Sequence, residues 1–197
     1  MYYILINEDG NSKTDFYVQG TLLEEDGSLA INIFDAAEPV AKRAGNHLTI
    51  KLDENYSKLL RLRDRIVTYV QNSFYLLVVS PAMKALLEEL NTQNIEYLGV
   101  TIKGKTVEIS DYFIVNILSK IDCIDDEKSD VYDNEDNTID AIYSLTLAEE
   151  KIPKHLNLFL LGRHEGGIII AHERLKKAIE ERGLKGFVFV DPKEFAL

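Results

Sequence analysis

The sequence lacks the features that mark secreted and membrane-spanning proteins. Cys123 is the only cysteine among 197 residues, so an internal disulfide is excluded. No run approaches the roughly 20 apolar residues that a membrane-spanning helix needs. The first ten residues, MYYILINEDG, have neither the basic start nor the long apolar run of a signal peptide. We therefore expect a cytoplasmic protein.

Positive charge is also scarce along the chain. Lys and Arg number 22 against 33 Asp and Glu, which gives a net charge of −11. Nucleic acid and anionic membranes repel a protein this acidic, so we expect neither as a partner. A basic protein partner suits this charge, and a purely solubilising role for the acidic residues is the alternative.

Histidines and glycines, which often mark catalytic or metal sites, lack the spacing that such sites need. No two histidines have the H-x-x-x-H spacing of a zinc site. The stretch GRHEGG at 162–167 lacks the Lys-Ser/Thr ending of a phosphate-binding loop, and no G-x-S-x-G nucleophile elbow occurs. We predict no catalytic residue, no metal and no cofactor, and we interpret GRHEGG as a turn between strands. The histidines are His47, His155, His164 and His172.

Cys123 lies in an apolar, strand-like stretch, where a buried structural thiol is the ordinary outcome. A reactive thiolate needs positive neighbours. Here the neighbours are Asp122, Asp125 and Asp126, and we expect them to raise the pKa of the thiol. Cys123 is therefore not a candidate nucleophile.

An acidic stretch at 122–140, DCIDDEKSDVYDNEDNTID, carries most of the net charge. It holds nine Asp and Glu and one lysine, a net −8 of the chain's −11. Asp133, Glu135 and Asn137 have the first three spacings of a calcium loop, but Thr138 replaces the turn glycine and Ser144 the closing glutamate. We therefore expect no dedicated calcium site.

The N-terminal third shows strand and hairpin signals. An apolar strand is predicted at Tyr2–Ile6, and the Asp9-Gly10 pair closes it. The Asp26-Gly27 pair predicts a hairpin turn between apolar runs at 21–23 and 29–34. The segment 46–52 alternates apolar and polar residues and predicts a half-buried strand, whereas 54–72 fits a helix or an extended chain.

A strand–helix–strand pattern occurs twice. The run at 74–79 predicts a buried strand, and Ser80-Pro81 predicts a capped helix start. A return strand follows at 95–102. A shift of 92 residues aligns the first helix with the second, which His172 precedes and Gly183 ends. Duplication would explain the similarity, but amphipathic units also resemble one another for physical reasons, and we favour the latter explanation.

These patterns predict an α+β fold, a mixed and mostly antiparallel sheet with two helices packed on it, near 81–91 and 173–182. Each helix carries one apolar stripe, so each should cover a sheet on one side. The opposite sides should lie in solvent, with Lys84, Glu88, Lys176 and Glu180. We divide the chain into a β-rich segment at 1–72, considered as a small lobe, and an α+β domain at 73–197.

From about Tyr75 onward, the ordered set of elements resembles a bacterial family. In chain order these elements are VVSPAMKALLEEL, YFIVNIL followed by IDCIDDEKS, LNLFLL, and IIIAHERLKKAIEERGLKGFVFV. The set is similar to that of the immunity protein 11 family, formerly a domain of unknown function, and covers about two-thirds of the chain. The resemblance implies a protein that binds and neutralises a cognate toxin of a polymorphic toxin system.

Two functions remain open at this point. The first is a toxin-binding protein without catalytic activity, and the alternative is an enzyme that uses carboxylates and histidines of the C-terminal half. For the first, a toxin that acts on nucleic acid would have a basic active site, which an acidic surface would block. The expected partner-binding residues are Asp125, Asp126, Glu127, Asp130, Asp133, Glu135 and Asp136, together with Arg163, His164 and Glu165 on an exposed loop.

Overall fold

The computed structural model describes residues 1–7, 17–18, 20–23, 27, 39–40, 47–52, 69–72, 76–105 and 108–197. The predicted Asp9-Gly10 turn, the apolar run at 29–34 and the segment 53–68 lie outside the described residues. Gly27 has φ +84°, the conformation that the predicted Asp-Gly turn requires.

Strands in the described ranges form three sheets. Their bounds are β1 (Tyr2–Asn7), β2 (Tyr17–Val18), β3 (Gly20–Leu23), β4 (His47–Leu52), β5 (Tyr69–Asn72), β6 (Val78–Val79), β7 (Ile95–Lys103), β8 (Glu108–Ile117), β9 (Lys120–Ile121), β10 (Asp130–Asp133), β11 (Ile139–Ser144), β12 (Leu158–Leu161), β13 (Ile169–His172) and β14 (Phe187–Val190).

The sheets are mixed and mostly antiparallel, which confirms the predicted α+β class. Seven strands follow the order β2-β5-β6-β8-β7-β4-β3, five follow β14-β1-β13-β12-β9, and β10 pairs with β11 alone. Parallel pairs occur at β2/β5, β4/β7 and β9/β12. The predicted alternation in β4 is confirmed because Leu48, Ile50 and Leu52 are all buried.

Two α-helices begin and end close to the predicted residues. Helix α1 spans Pro81–Glu89, and the Ser80 hydroxyl accepts a hydrogen bond from the Met83 N–H at 3.4 Å. Helix α2 spans Glu173–Glu181 and is capped by His172. Gly183 ends α2 with φ +61°, as predicted. Short 3-10 helices lie at Glu149–Lys151 and Pro192–Glu194.

One apolar core joins both helices to both larger sheets. Helix α1 contributes Met83, Leu86 and Leu87, and helix α2 contributes Leu175 and Ile179, all nearly inaccessible to solvent. The seven-stranded sheet adds Val79, Val115 and Ile117, and the five-stranded sheet adds Leu5, Leu158 and Ala171. Helix α1 packs on β6 and β8, helix α2 packs on β13, and the two helices contact each other, so the stripe of each helix is buried between one sheet and the other helix.

A second core covers the other face of the five-stranded sheet. Phe159 and Leu161 of β12 point into it, whereas Leu158 and Leu160 point into the helix core. The whole β12 sequence is apolar because both faces of this strand are buried. The second core also contains Cys123, Ile124, Ile139, Ile142 and Leu145 from the acidic stretch and its surroundings.

The two strand–helix–strand units share more than an amphipathic helix. In the first unit β8 lies between β6 and β7, and in the second β1 lies between β13 and β14, antiparallel to both neighbours in each case. The 92-residue shift superposes β6 on β13 and β7 on β14, and β1 then takes the place of β8 as the central strand. Six cross-strand residue pairs of the first unit have an equivalent pair in the second. In the first unit they are Val78–Ile114, Val79–Phe113, Ile95–Ile117, Glu96–Asn116, Tyr97–Val115 and Leu98–Ile114; in the second they are Ile170–Ile4, Ala171–Tyr3, Phe187–Asn7, Val188–Ile6, Phe189–Leu5 and Val190–Ile4.

The helix ends of the two units are equivalent as well. Asn91, with φ +49°, takes the place of Gly183, and both helices close with the same pair of backbone hydrogen bonds. Amphipathicity alone does not require the same register in three strands and the same cap. The structure therefore favours an internal repeat over the physical explanation, with the central strand of the second unit supplied by the N-terminus.

The division of the chain at residues 72 and 73 stays a prediction. Strand β1 lies before that boundary and pairs with β13 and β14, which lie after it. This strand is therefore part of the C-terminal sheet, whatever the arrangement of the residues that follow it.

Two lysines predicted to lie in solvent are half-buried instead. Lys84 Nζ lies 4.9 Å from the ring centroid of Tyr97, and Lys176 Nζ lies 4.0 Å from that of Tyr3. Their alkyl chains cover apolar surface while the ammonium groups contact ring faces. Glu88 and Glu180 are exposed, as predicted.

Leu86 tests the helix core, because its side chain is 1% exposed. Leu86→Ala should lower the free energy of unfolding by about 2–5 kcal/mol through lost burial and a residual cavity. Urea denaturation monitored by circular dichroism measures this. Leu197→Ala is the matched control, since Leu197 is 58% exposed, and should cost less than about 1 kcal/mol. A loss below about 0.5 kcal/mol for Leu86→Ala would contradict the packing of α1.

Candidate partner-binding surface

The acidic stretch at 122–140 is folded rather than an open loop. A turn follows Asp125, whose carbonyl accepts hydrogen bonds from the N–H groups of Lys128 and Ser129 at 3.1 and 2.9 Å. Strands β10 and β11 then form a hairpin, and Ile139 and Ile142 anchor it in the second core. The side-chain oxygen of Ser129 bonds to the backbone of Thr146, which closes the base.

Arg163 holds two parts of this stretch together. Its Nη1 donates to Asp126 at 2.8 Å, and its Nη2 lies 3.3 Å from Asp133. The backbone of Arg163 has φ +60°, an uncommon conformation for a residue with a side chain. Its carbonyl accepts a hydrogen bond of 2.7 Å from the N–H of Ile139, at the start of β11. Arg163 therefore contacts the hairpin with both its side chain and its backbone.

Two further carboxylates of the predicted set make local contacts. Asp125 accepts a hydrogen bond of 2.6 Å from Lys128, and this bond lowers the pKa of the carboxyl group. Asp136 accepts from the hydroxyl and the N–H of Thr138 at 2.6 and 3.0 Å, and these bonds lower its pKa too. Together with Asp126 and Asp133, four of the seven predicted carboxylates have partners within the protein.

The other three predicted carboxylates are exposed. Glu127, Asp130 and Glu135 form no side-chain hydrogen bond or ion pair with the described part of the chain. The sequence alone does not distinguish among the seven predicted carboxylates of the acidic stretch. Only the fold separates those that stabilise the hairpin from those that remain available to a partner.

The loop at 163–165 differs from the expected exposed loop. The Arg163 side chain is 13% exposed and paired as described above. The His164 ring is half-buried and packs so closely on Gly166 that a Cβ there would lie 2.7 Å from its Cε1. Burial, followed by the charge of Lys120, lowers the pKa of His164. Of the three residues, only Glu165 is exposed.

Two tyrosines on the hairpin were not among the residues expected from the sequence. Tyr132 is 59% and Tyr143 65% exposed. The register of β10 and β11 shifts twice, and Tyr143 is the extra residue of one shift. A tyrosine in a strand is ordinarily interpreted as part of a core, and the bulge that turns this one outward has no evident sequence signal.

His172 accepts two hydrogen bonds at the start of α2. Its Nδ1 accepts one hydrogen bond from the backbone N–H of Arg174 at 3.1 Å and a second from the side-chain Nε of Arg174 at 3.2 Å. The ring contacts Tyr2 edge-to-face, with 4.8 Å between centroids. Burial, followed by the charges of Arg174 and the N-terminus, lowers the pKa of His172. The His172 side chain therefore caps α2 through a ring nitrogen that accepts hydrogen bonds.

Cys123 is buried in the second core, as expected. Burial, followed by the charge of Asp122, raises the pKa of its thiol to about 12. Of the three aspartates expected to act on the thiol, Asp122 is the one that does so. The thiol is therefore protonated at neutral pH, which disfavours a nucleophilic role.

Metal-binding groups are not assembled in the described ranges. Among those residues, no three His, Cys, Asp or Glu side chains come close enough to hold an ion. In the segment with calcium-like spacing, Asp133 contacts Arg163, and Asn134 and Thr138 close the turn with a backbone hydrogen bond of 2.7 Å. Neither described α-helix is long or apolar enough to cross a membrane.

The chain matches the model of a known protein family. Residues 32–194 match the model of an immunity protein family, Imm11. The matched range includes both helices, the acidic stretch and the hairpin, but not β1. No curated protein matches the chain.

Burial of the His172 ring should make the stability of the protein depend on pH. The neutral form of His172 is favoured in the folded state, because its pKa is lowered from the ordinary 6.5. The stability that the neutral ring contributes is fully present at pH values above 6.5. It is lost as the pH falls below 6.5 and through the lower pKa that His172 has in the folded state. Urea unfolding at pH values from about 7.5 down to about 5 should show the loss.

His172→Ser places in α2 the cap that Ser80 provides in α1. We expect this variant to lose the part of the pH dependence due to His172, while the stability at neutral pH changes by less than about 1 kcal/mol. His155→Ser, at an exposed histidine, is the control and should keep the wild-type profile. An unchanged pH profile for His172→Ser would contradict the role of the neutral ring.

Proposed function

The chain belongs to the immunity protein family Imm11, and from this membership we propose that it protects a bacterial cell by binding a cognate toxin and occluding the toxin's active site. The observation that carries the proposal is the family match over residues 32–194. We place the activity in the cytoplasm and assign the protein no catalytic step. The buried thiol of Cys123 and the use of His172 as a cap agree with a binding role.

The acidic stretch is the surface that we propose for the toxin. Its net charge of −8 is concentrated in 19 consecutive residues, 122–140, and this concentration costs self-repulsion that a dispersed charge would avoid. A basic active site on the toxin would be attracted to it, and the attraction would raise the association rate. Arg163, Lys128 and Thr138 hold four of the carboxylates in place, so the surface is ordered before a partner arrives.

The first experiment is co-purification with the product of the gene directly upstream, where we expect the cognate toxin. The toxin domain is produced in an inactivated form, and the two proteins should elute as a stoichiometric complex. Expression of the immunity protein should also restore growth to cells that produce the active toxin. Absence of both the complex and the protection would refute the proposed function.

Charge removal tests the acidic surface. The triple variant Glu127→Gln, Asp130→Asn and Glu135→Gln changes exposed carboxylates that have no structural partner among the described residues. We expect association with the toxin to slow several-fold at low salt, and its salt dependence to become shallower, because steering raises association rates by a factor of about 10 to 1,000. Stopped-flow mixing measures the rate.

The matched control removes the same charge elsewhere. Asp111→Asn, Glu180→Gln and Glu181→Gln also change three exposed carboxylates, on β8 and α2. This control should associate at nearly the wild-type rate. If both variants slow association equally, only the net charge matters; if neither does, the acidic stretch is a solvated surface and does not meet the toxin.

The enzyme alternative predicts a different result. A screen for hydrolase and transferase activity would then show turnover that His164→Asn or His172→Ser abolishes. A stoichiometric complex without turnover distinguishes the binding protein from this alternative.

A further inference from the structure

The β10–β11 hairpin exposes two aromatic side chains, Tyr132 and Tyr143. Val131 and Ile142 are register partners and point into the second core. Tyr132 and Ala141, the next pair, therefore point outward. Tyr143 follows Ile142 and has no register partner, and its side chain is 65% exposed. Both tyrosines thus lie on the outward face of the hairpin. The other tyrosines with described side chains are half-buried or buried.

The backbone beneath these rings is held from three sides. Ile142 exchanges two backbone hydrogen bonds with Leu197, of 2.9 and 2.8 Å, so the C-terminal residue extends the hairpin by one strand position. Arg163 holds Asp133 at the end of β10 and the N–H of Ile139 at the start of β11. Ser129 and Thr146 close the base. A ring presented on a fixed backbone loses little freedom when a partner covers it.

Carboxylates flank the rings on the same hairpin. Asp130 lies two residues before Tyr132 and therefore on the same side of β10. Asp140 is the extra residue of the second register shift and is exposed. An arginine or lysine of a partner can contact a tyrosine ring face and a neighbouring carboxylate at once. The chemistry of this face therefore fits a basic protein surface, and the same carboxylates repel nucleic acid.

We propose that this face, centred on Tyr132 and Tyr143 and flanked by Asp130 and Asp140, is the main binding contact for a basic surface of the toxin. The inference rests on the proposed function and names the residues that supply most of the binding energy of the complex with the toxin. Aromatic side chains that become buried at the centre of an interface carry most of its binding energy, whereas exposed charges at the rim mainly set the association rate. The tyrosines determine how long the complex lasts, and the surrounding carboxylates determine how fast it forms.

The test compares two double variants for binding to the inactivated toxin domain that the co-purification identifies. The variant Tyr132→Ser with Tyr143→Ser lacks both rings. Its dissociation constant should be at least about 30-fold higher, mainly because dissociation is faster. Tyr132→Phe with Tyr143→Phe keeps the rings and should stay within about threefold of the wild type. Surface plasmon resonance gives both rate constants. Thermal unfolding should show the same midpoint for all three proteins, because the side chains are exposed.

Each outcome decides between the surface and the function. If wild-type protein binds the toxin and the serine variant binds equally well, the tyrosine face is refuted while the proposed function stands. If wild-type protein does not bind the toxin, the proposed function fails and the tyrosine face fails with it. If wild-type protein alone forms a dimer that the serine variant does not form, the face contacts a second copy of the chain, and the proposal is refuted.

Discussion

The apolar core between the two helices and the two larger sheets is the constraint on which the rest of the structure depends. Each helix is nine residues long and has one apolar stripe, so neither is stable without a sheet to cover it. Leu5 of β1 and Val115 of β8 occupy equivalent positions in this core. The N-terminal strand is therefore as much a part of the core as the helices, although residues 8–168 separate it from its partner β13.

The equivalence of the two units explains why one small protein contains the same pattern twice. Both units present a strand, a helix and a return strand around a central antiparallel strand, and together they bury the faces that each would expose alone. The units differ at their caps, where Ser80 takes the place of His172. A serine hydroxyl accepts a hydrogen bond at any physiological pH, whereas an imidazole nitrogen accepts one only when neutral. The Ser80 cap of α1 can therefore be compared directly with the His172 cap of α2, because the two caps occupy equivalent positions.

The second core gives the acidic stretch its shape. Ile139 and Ile142 are both buried although they are three residues apart, which regular strand alternation does not allow. The two register shifts of the hairpin reconcile these positions, and they leave Asp140 and Tyr143 outside. The burial of two isoleucines and the exposure of a tyrosine and a carboxylate are consequences of the same bulges.

Local patterns in the sequence determined the two described helices, the Ser80 cap, several of the described strands, the buried thiol and the absence of a recognised catalytic motif. These follow from residues that are close together in the chain, such as Ser80 with Pro81 or Ile179 with Gly183. The resemblance of the C-terminal two-thirds also pointed to the immunity family. The tertiary structure decided which carboxylates are free, because Arg163 reaches Asp126 and Asp133 across more than 25 residues. It also decided that β1 completes the second unit and that Tyr132 and Tyr143 face solvent, since strand pairing and register depend on contacts between distant residues that no local pattern encodes.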